Sequence, residues 1–309
     1  MPKSLIPAMV AAMLAFPAAF QAYAEDDRQL RRDVEFLSDD LCGGRASGSE
    51  GSEMARLYIA DRFRDIGLNP IGWHFTQSFK AEDSTILRNI AGIIHSSGES
   101  DEYVIICAHY DHIGTIGGTI YNGADDNASR VAALLMIASR LMEMKNAGTG
   151  PGCNLIFVAL DGKELNMAGS RHFVEEMTIP PHKIRCAINI DIIGSDLVPV
   201  GKRKDYIIAL GENTLPPSSR GYISHICSTG PYRMDLDLSF YGSRDFTKMM
   251  YISGDHHSFA AKKIPAVFFT SGFHSLTYKA GDDACIVNFD LLRRRAMVIC
   301  RFISCIGNR

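Results

Sequence analysis

The stretch Tyr103-Val-Ile-Ile-Cys-Ala-His109-Tyr-Asp111-His112, followed after a glycine-rich turn by Asn122-Gly-Ala-Asp125-Asp126-Asn127-Ala-Ser129, decides how the chain is read. Tyr103 to Cys107 is short, apolar and partly β-branched, which predicts a buried strand, and the polar residues begin where that strand stops. His109 offers an imidazole nitrogen and Asp125 two carboxylate oxygens, while Asp111 stands where it could hold the second imidazole nitrogen in one tautomer. These are the parts of a metal site. Asp126 or Asn127 can also cap the helix that follows, so the same turn serves local structure.

Working outward, the pattern of strand, polar tip and helix repeats. Arg130 to Met144 reads as a long helix rich in Ala, Leu and Met, stopped by Asn146-Ala-Gly148-Thr-Gly150-Pro151. Asn154 to Leu160 is a nearly continuous apolar run ending in Asp161-Gly-Lys163-Glu164, and Ala168-Gly-Ser170 opens a short helix through Glu176. Ala187 to Ile190 predicts a third strand with Asp191 at its carboxyl end, and Ile207 to Leu210 a fourth beyond the loop Ser195 to Lys204. Toward the N-terminus, helical spacing marks Asp26 to Leu37 and Glu53 to Ile66, the latter closed by Gly67. Trp73 to Phe79 and Ile86 to Ile94 read as antiparallel strands at an edge of the main sheet. Ser218 to Cys227 reads as a helix, Ser228 to Ser253 as a long loop, Ala266 to Phe269 as a strand, and Leu291 to Ile306 as a closing helix. On that last helix Arg293, Arg294, Arg295 and Arg301 are assigned to a solvated face.

Strands alternating with helices predict an α/β three-layer sandwich with a mixed, largely parallel central sheet and helices on both faces. In open sheets of this kind ligands collect outside the carboxyl ends of the strands. His109, Asp125, Glu164, Asp191 and His274 all fall there, and their convergence from separate strand ends favours a metal centre over scattered structural side chains.

Composition bounds the rest. With 309 residues, 46% hydrophobic and 22% charged, the chain has length for one large α/β domain. Residues 1–24 carry Lys3, an apolar run broken by Pro7 and Pro17, and Ala22-Tyr-Ala24 before Glu25-Asp-Asp27, the pattern of a signal peptide. The expected organisation is therefore a leader over 1–24 and a single catalytic domain over 25–309, in a secreted or periplasmic protein. The formal net charge of −3 becomes one unit more negative without Lys3, and nothing asks for nucleic acid or, once the leader is gone, for a membrane. Eight cysteines leave any disulfide pairing open, but Cys107, Cys186 and Cys300 sit in apolar runs where a thiol serves as a small hydrophobe.

Taken together, His109-Tyr-Asp111, Gly123-Ala-Asp125-Asp126-Asn127-Ala-Ser129, Glu164 with Gly169-Ser170, Asn189-Ile-Asp191, and Asp255-His256 with Ile264-Pro-Ala266 resemble the secreted di-zinc exopeptidases. That family includes the bacterial leucine aminopeptidases and is related to the glutaminyl cyclases. The resemblance runs from about Leu37-Ser38 to Asp283. It implies Asp125 as the bridging carboxylate, His109 and Asp191 on one zinc, Glu164 on the other, and Asp111 as the group that orients His109. Zinc is the metal implied, although one histidine with three carboxylates also suits cobalt or manganese.

Two positions depart from the family pattern. Lys163 stands where the family has its general base, and Tyr278 where it has a histidine ligand, with His274 near enough to substitute along a different loop path. Both changes weaken the second metal position. With that ion missing, Glu164 is free to act as base toward a zinc-bound water, a role Lys163 takes only with a strongly depressed pKa. The resemblance thus implies a zinc-dependent exopeptidase of aminopeptidase type, acting on peptides or small amides, with one zinc expected and two possible in number. A peptide-binding relative without turnover is the alternative, because both departures strike catalytic positions, and a glutaminyl cyclase stands behind both.

Overall fold

The computed structural model describes residues 26–197 and 205–308. The leader over 1–24 and most of the loop from Ser195 to Lys204 lie outside the described residues. Helix α1 covers residues 26–37. Helix α2, Glu50–Ile66, is capped by the Ser49 hydroxyl on the N–H of Ser52 and ends at Gly67 in the left-handed region, φ 92°, so it begins three residues before the apolar pattern does. Strands β1 (Asn69–Pro70) and β2 (Thr76–Lys80) both pair antiparallel with β3 (Ile86–Ile94), as the sequence predicts for a sheet edge.

Strand β4, Tyr103–His109, runs two residues past the apolar stretch and carries His109 at its carboxyl end. A small hairpin, β5 (Thr115–Ile116) with β6 (Thr119–Ile120), leads to the turn over Ala124–Ala128 and to helix α3, Ser129–Asn146. The chain continues through β7 (Asn154–Leu160), α4 (Ala168–Glu175), β8 (Ile184–Ile190) and β9 (Tyr206–Leu210). Then come α5 (Tyr222–Ser228), β10 (Asp235–Asp237), α6 (Arg244–Ile252), α7 (His256–Ala261), β11 (Ala266–Thr270) and α8 (Phe289–Gly307). The stretch assigned to a loop, Ser228 to Ser253, therefore holds a strand and a helix, the helix capped by Ser243 on the N–H of Phe246.

Among the described residues, nine strands form one sheet in the order β1-β3-β7-β4-β8-β11-β9-β10, with β2 beside β3. The central strands β7, β4, β8 and β11 are mutually parallel, while β3 and β9 run antiparallel to their neighbours β7 and β11. The core shows why β4 and β7 read as unbroken apolar runs: each is buried on both faces, so alternate residues serve different layers. Val104, Ile106, Ala108, Leu155 and Phe157 pack with residues of α2, α3 and α8, whereas Ile105, Cys107, Ile156 and Val158 pack with Phe173, Val174 and Phe259 of α4 and α7. The three-layer sandwich with a mixed, largely parallel sheet is as the sequence predicts. One helix departs from its reading: Arg295 is fully buried and donates to the carbonyls of Ile193, Ser195 and Tyr206, so it belongs to the packed face of α8. All eight cysteines are free thiols.

Candidate functional site

Buried Arg45 sets up the loops around the carboxyl end of β4. Its guanidinium donates to the carbonyls of Leu37, Tyr110, Asn122 and Gly123 and to Asn127 Oδ1, tying the segment after β4 to the turn before α3. The Asp282 carboxylate accepts the N–H groups of Asp125 and Asp126 at 2.8 and 2.9 Å. Gly123 enters the turn at φ 58°, where a Cβ would stand 2.3 Å from the Asp126 carbonyl oxygen. The turn is a wide, π-type one in which Asp126 leaves helical geometry (φ −107°, ψ 75°), so the two adjacent aspartates point in different directions.

This geometry corrects the expectation for Asp125. Its carboxylate faces away from His109 and accepts N–H groups from Gly194 (2.6 Å) and Ser195 (2.9 Å), the Ser129 hydroxyl (2.9 Å), and the charge of His274 Nε2 at 3.2 Å. His274 is thereby engaged with Asp125 and does not reach the cluster around His109. Asp126 is the aspartate brought beside His109 and Asp191, and ligand atoms of these three residues lie within 4.8 Å of one another.

His109 is wholly buried, and burial first, then Arg130 and Lys163, hold its imidazolium form well below the ordinary range. Its Nδ1 lies 3.0 Å from the Asp111 carbonyl oxygen and 3.4 Å from the Asp111 carboxylate. A neutral ring with Nδ1–H donating to Asp111 leaves a lone pair on Nε2, the tautomer a metal ligand uses. Asp111 thus lies against His109 Nδ1, and its carboxylate also accepts the N–H groups of Lys163 and Glu164 at 3.1 and 3.0 Å.

The lone pair on Nε2 is already taken. Arg130, in the first turn of α3 and fully buried, directs one guanidinium nitrogen at His109 Nε2 and, at 2.5 Å, at Asp191 Oδ1, and a second at Asp126 Oδ1. Glu164 and Tyr278 meet a second basic side chain. Lys163 Nζ donates to Glu164 Oε1 at 2.8 Å and to the Tyr278 hydroxyl at 2.6 Å, and that hydroxyl lies 3.1 Å from Glu164 Oε1. Burial works against the Lys163 ammonium, but Asp126, Glu164 and Asp191 outweigh it and raise its pKa, so the depressed pKa needed for a lysine base is not found. Burial raises the Asp191 carboxyl to about 6 against the pull of Arg130, and raises Glu164 against the pull of Lys163.

The donor types are those that hold zinc, but a guanidinium fills the point on which they converge. As folded, these residues do not fit an ion and Arg130 together. Sequence reasoning passed over Asp126 and Arg130 as site residues. The signal that could have found Arg130 is a lone charge inside the apolar run Ala128 to Leu135, four residues after an aspartate.

A His-Asp-Asp cluster at the carboxyl ends of a parallel sheet flanked by helices defines an α/β protein with a metal-type site at its strand ends. Residues 89–303 match Peptidase family M28, and the chain belongs to that family. The fold is that of a zinc aminopeptidase from Bacillus subtilis, with TM-score 0.70 at 12% identity over 92% of this chain and 95% of that one. A glutaminyl cyclase from Porphyromonas gingivalis shares it with TM-score 0.65 at 17% identity, over 90% of this chain and 96% of that one. A probable glutamate carboxypeptidase of Zea mays, VP8, is 38% identical over 106 residues, 34% of this chain and 14% of that protein. The chain spans less than half the length of the curated relatives it matches. The family matched is one of peptidases. Among the described residues no helix is long and apolar enough to cross a membrane.

Proposed function

We propose that this chain engages peptides end-on, as an aminopeptidase does, taking the N-terminal residue into the pocket beside Asp126 and Asp191. One observation carries the reading. A pocket of about 230 Å³, room for a single side chain, has Asp126, Lys163 and Asp191 along one side and Ile192, Phe268 and Phe273 among its apolar walls. Asp126 Oδ2 is buried there without a hydrogen-bond partner. Three carboxylates, Asp126, Asp191 and Glu164, face two cations, Arg130 and Lys163, so one negative charge is left over for a peptide α-ammonium. An apolar side chain then fills the other wall.

Fluorescent peptides with free and with acetylated N-termini test this by anisotropy. An ion-paired ammonium contributes about 1.5–3 kcal/mol, so the free peptide binds roughly tenfold to a hundredfold more tightly. Equal affinity for the two ends the reading. Hydrolysis by metal chemistry is a second reading, favoured by the convergence of His109, Asp126 and Asp191, and it requires Arg130 to leave them. Release of free amino acid from a panel of aminoacyl substrates with added zinc distinguishes it. The leader-like pattern of residues 1–24 supports an extracytoplasmic location, which cell fractionation checks.

A further inference from the structure

We infer that Arg130 and Lys163 are resident cations standing in the places of two metal ions, so that this site is organised and binds peptide without metal. The inference rests on the end-on reading for what the site binds, and on side-chain geometry for the rest.

The two cations divide the carboxylates as two ions would. Arg130 holds His109, Asp126 and Asp191, the donors that converge on one point, and Lys163 holds Glu164 and Tyr278, which stand at the positions the resemblance assigns to the other ion. They arrive from independent elements, Arg130 from the first turn of α3 and Lys163 from the loop after β7. With Nδ1–H of His109 directed at Asp111, the ring has one lone pair, on Nε2, and Arg130 faces it, so that direction is not open to an ion. Arg130 is fully buried, and a guanidinium does not give up its proton in a protein. A divalent cation entering beside it meets like charge at contact distance in a poorly solvated place. Lys163 does the same at the other position, where Tyr278 is in any case a poor neutral ligand.

The experiment purifies the full chain with zinc supplied throughout, removes loose metal by dialysis, and counts zinc by plasma mass spectrometry. The unmodified protein is expected to hold no stoichiometric zinc, and its affinity for the free N-terminal peptide is expected to be the same with and without a strong chelator. The variant combining Arg130→Gly, Lys163→Glu and Tyr278→His is expected to bind zinc. If that variant folds only when zinc is present, by near-ultraviolet dichroism, the outcome also supports the inference. One zinc or more per unmodified chain overturns it. Loss of peptide binding on chelation overturns it as well. A protein that holds no zinc and binds free and acetylated peptides alike leaves the resident cations standing and removes the end-on reading instead.

Discussion

Replacing Arg130 by methionine removes the charge while keeping much of the side-chain volume. Asp126 and His109 are at most 1% exposed, so Asp126 cannot turn to water for compensation, and Asp191, 15% exposed, does so only in part. Breaking a buried ion pair by deleting one partner costs about 3–5 kcal/mol. For a chain of this size that corresponds to a melting temperature lower by roughly 5–8 °C. The loss depends on pH in a defined direction. Asp191 has its folded pKa raised to about 6, so its protonated form contributes stability that is present below its unfolded pKa and lost as pH rises toward 6. Without the guanidinium that folded pKa rises further, and the gap between Arg130→Met and the unmodified protein narrows on acidification. Urea melts at pH 5 and pH 7.5 read both quantities. A variant within about 1 kcal/mol of the unmodified protein at pH 7.5 refutes the argument that Arg130 neutralises this cluster.

Two further outcomes follow from the turn before α3. Asp125→Ala strips the acceptor from Gly194, Ser195, Ser129 and His274, and is expected to destabilise by about 1.5–3 kcal/mol in melts. Burial opposes the charge on each partner, but their bond raises the His274 pKa and lowers that of Asp125, so this pair's stabilisation is full between about pH 4 and pH 6.5, fades as pH rises through the raised histidine value, and fades again as pH falls through the lowered carboxyl value. A His274→Gln protein with an unchanged alkaline limb contradicts that assignment. Gly123→Ala forces a side chain onto φ 58° and against the Asp126 carbonyl, and is expected to lower stability by more than about 1 kcal/mol. A neutral effect on the melt means the turn relaxes without cost.

Much of this was legible in the chain itself. The apolar runs Tyr103 to Cys107 and Asn154 to Leu160 read as buried strands, and once they were parallel neighbours the polar residues after them had to share one end of the sheet. Local spacing could not choose between Asp125 and Asp126. Which of two adjacent acids faces His109 is set by one backbone kink at Asp126 and by the grip of Asp282 on both N–H groups, a contact spanning more than 150 residues. Arg295 was misplaced for a related reason. Flanked by Arg293 and Arg294 it looks solvated, but it finds its acceptors on carbonyls of Ile193, Ser195 and Tyr206, about 90 to 100 residues away. Helix α6 was missed because it is only nine residues long and its start depends on the Ser243 cap.

The most direct test of the resident cations is a crystal of the unmodified protein soaked in zinc, with anomalous data collected on both sides of the zinc edge. The account predicts guanidinium density contacting His109, Asp126 and Asp191 and no anomalous peak among them. A peak within bonding distance of those three side chains, with Arg130 turned aside, would contradict it.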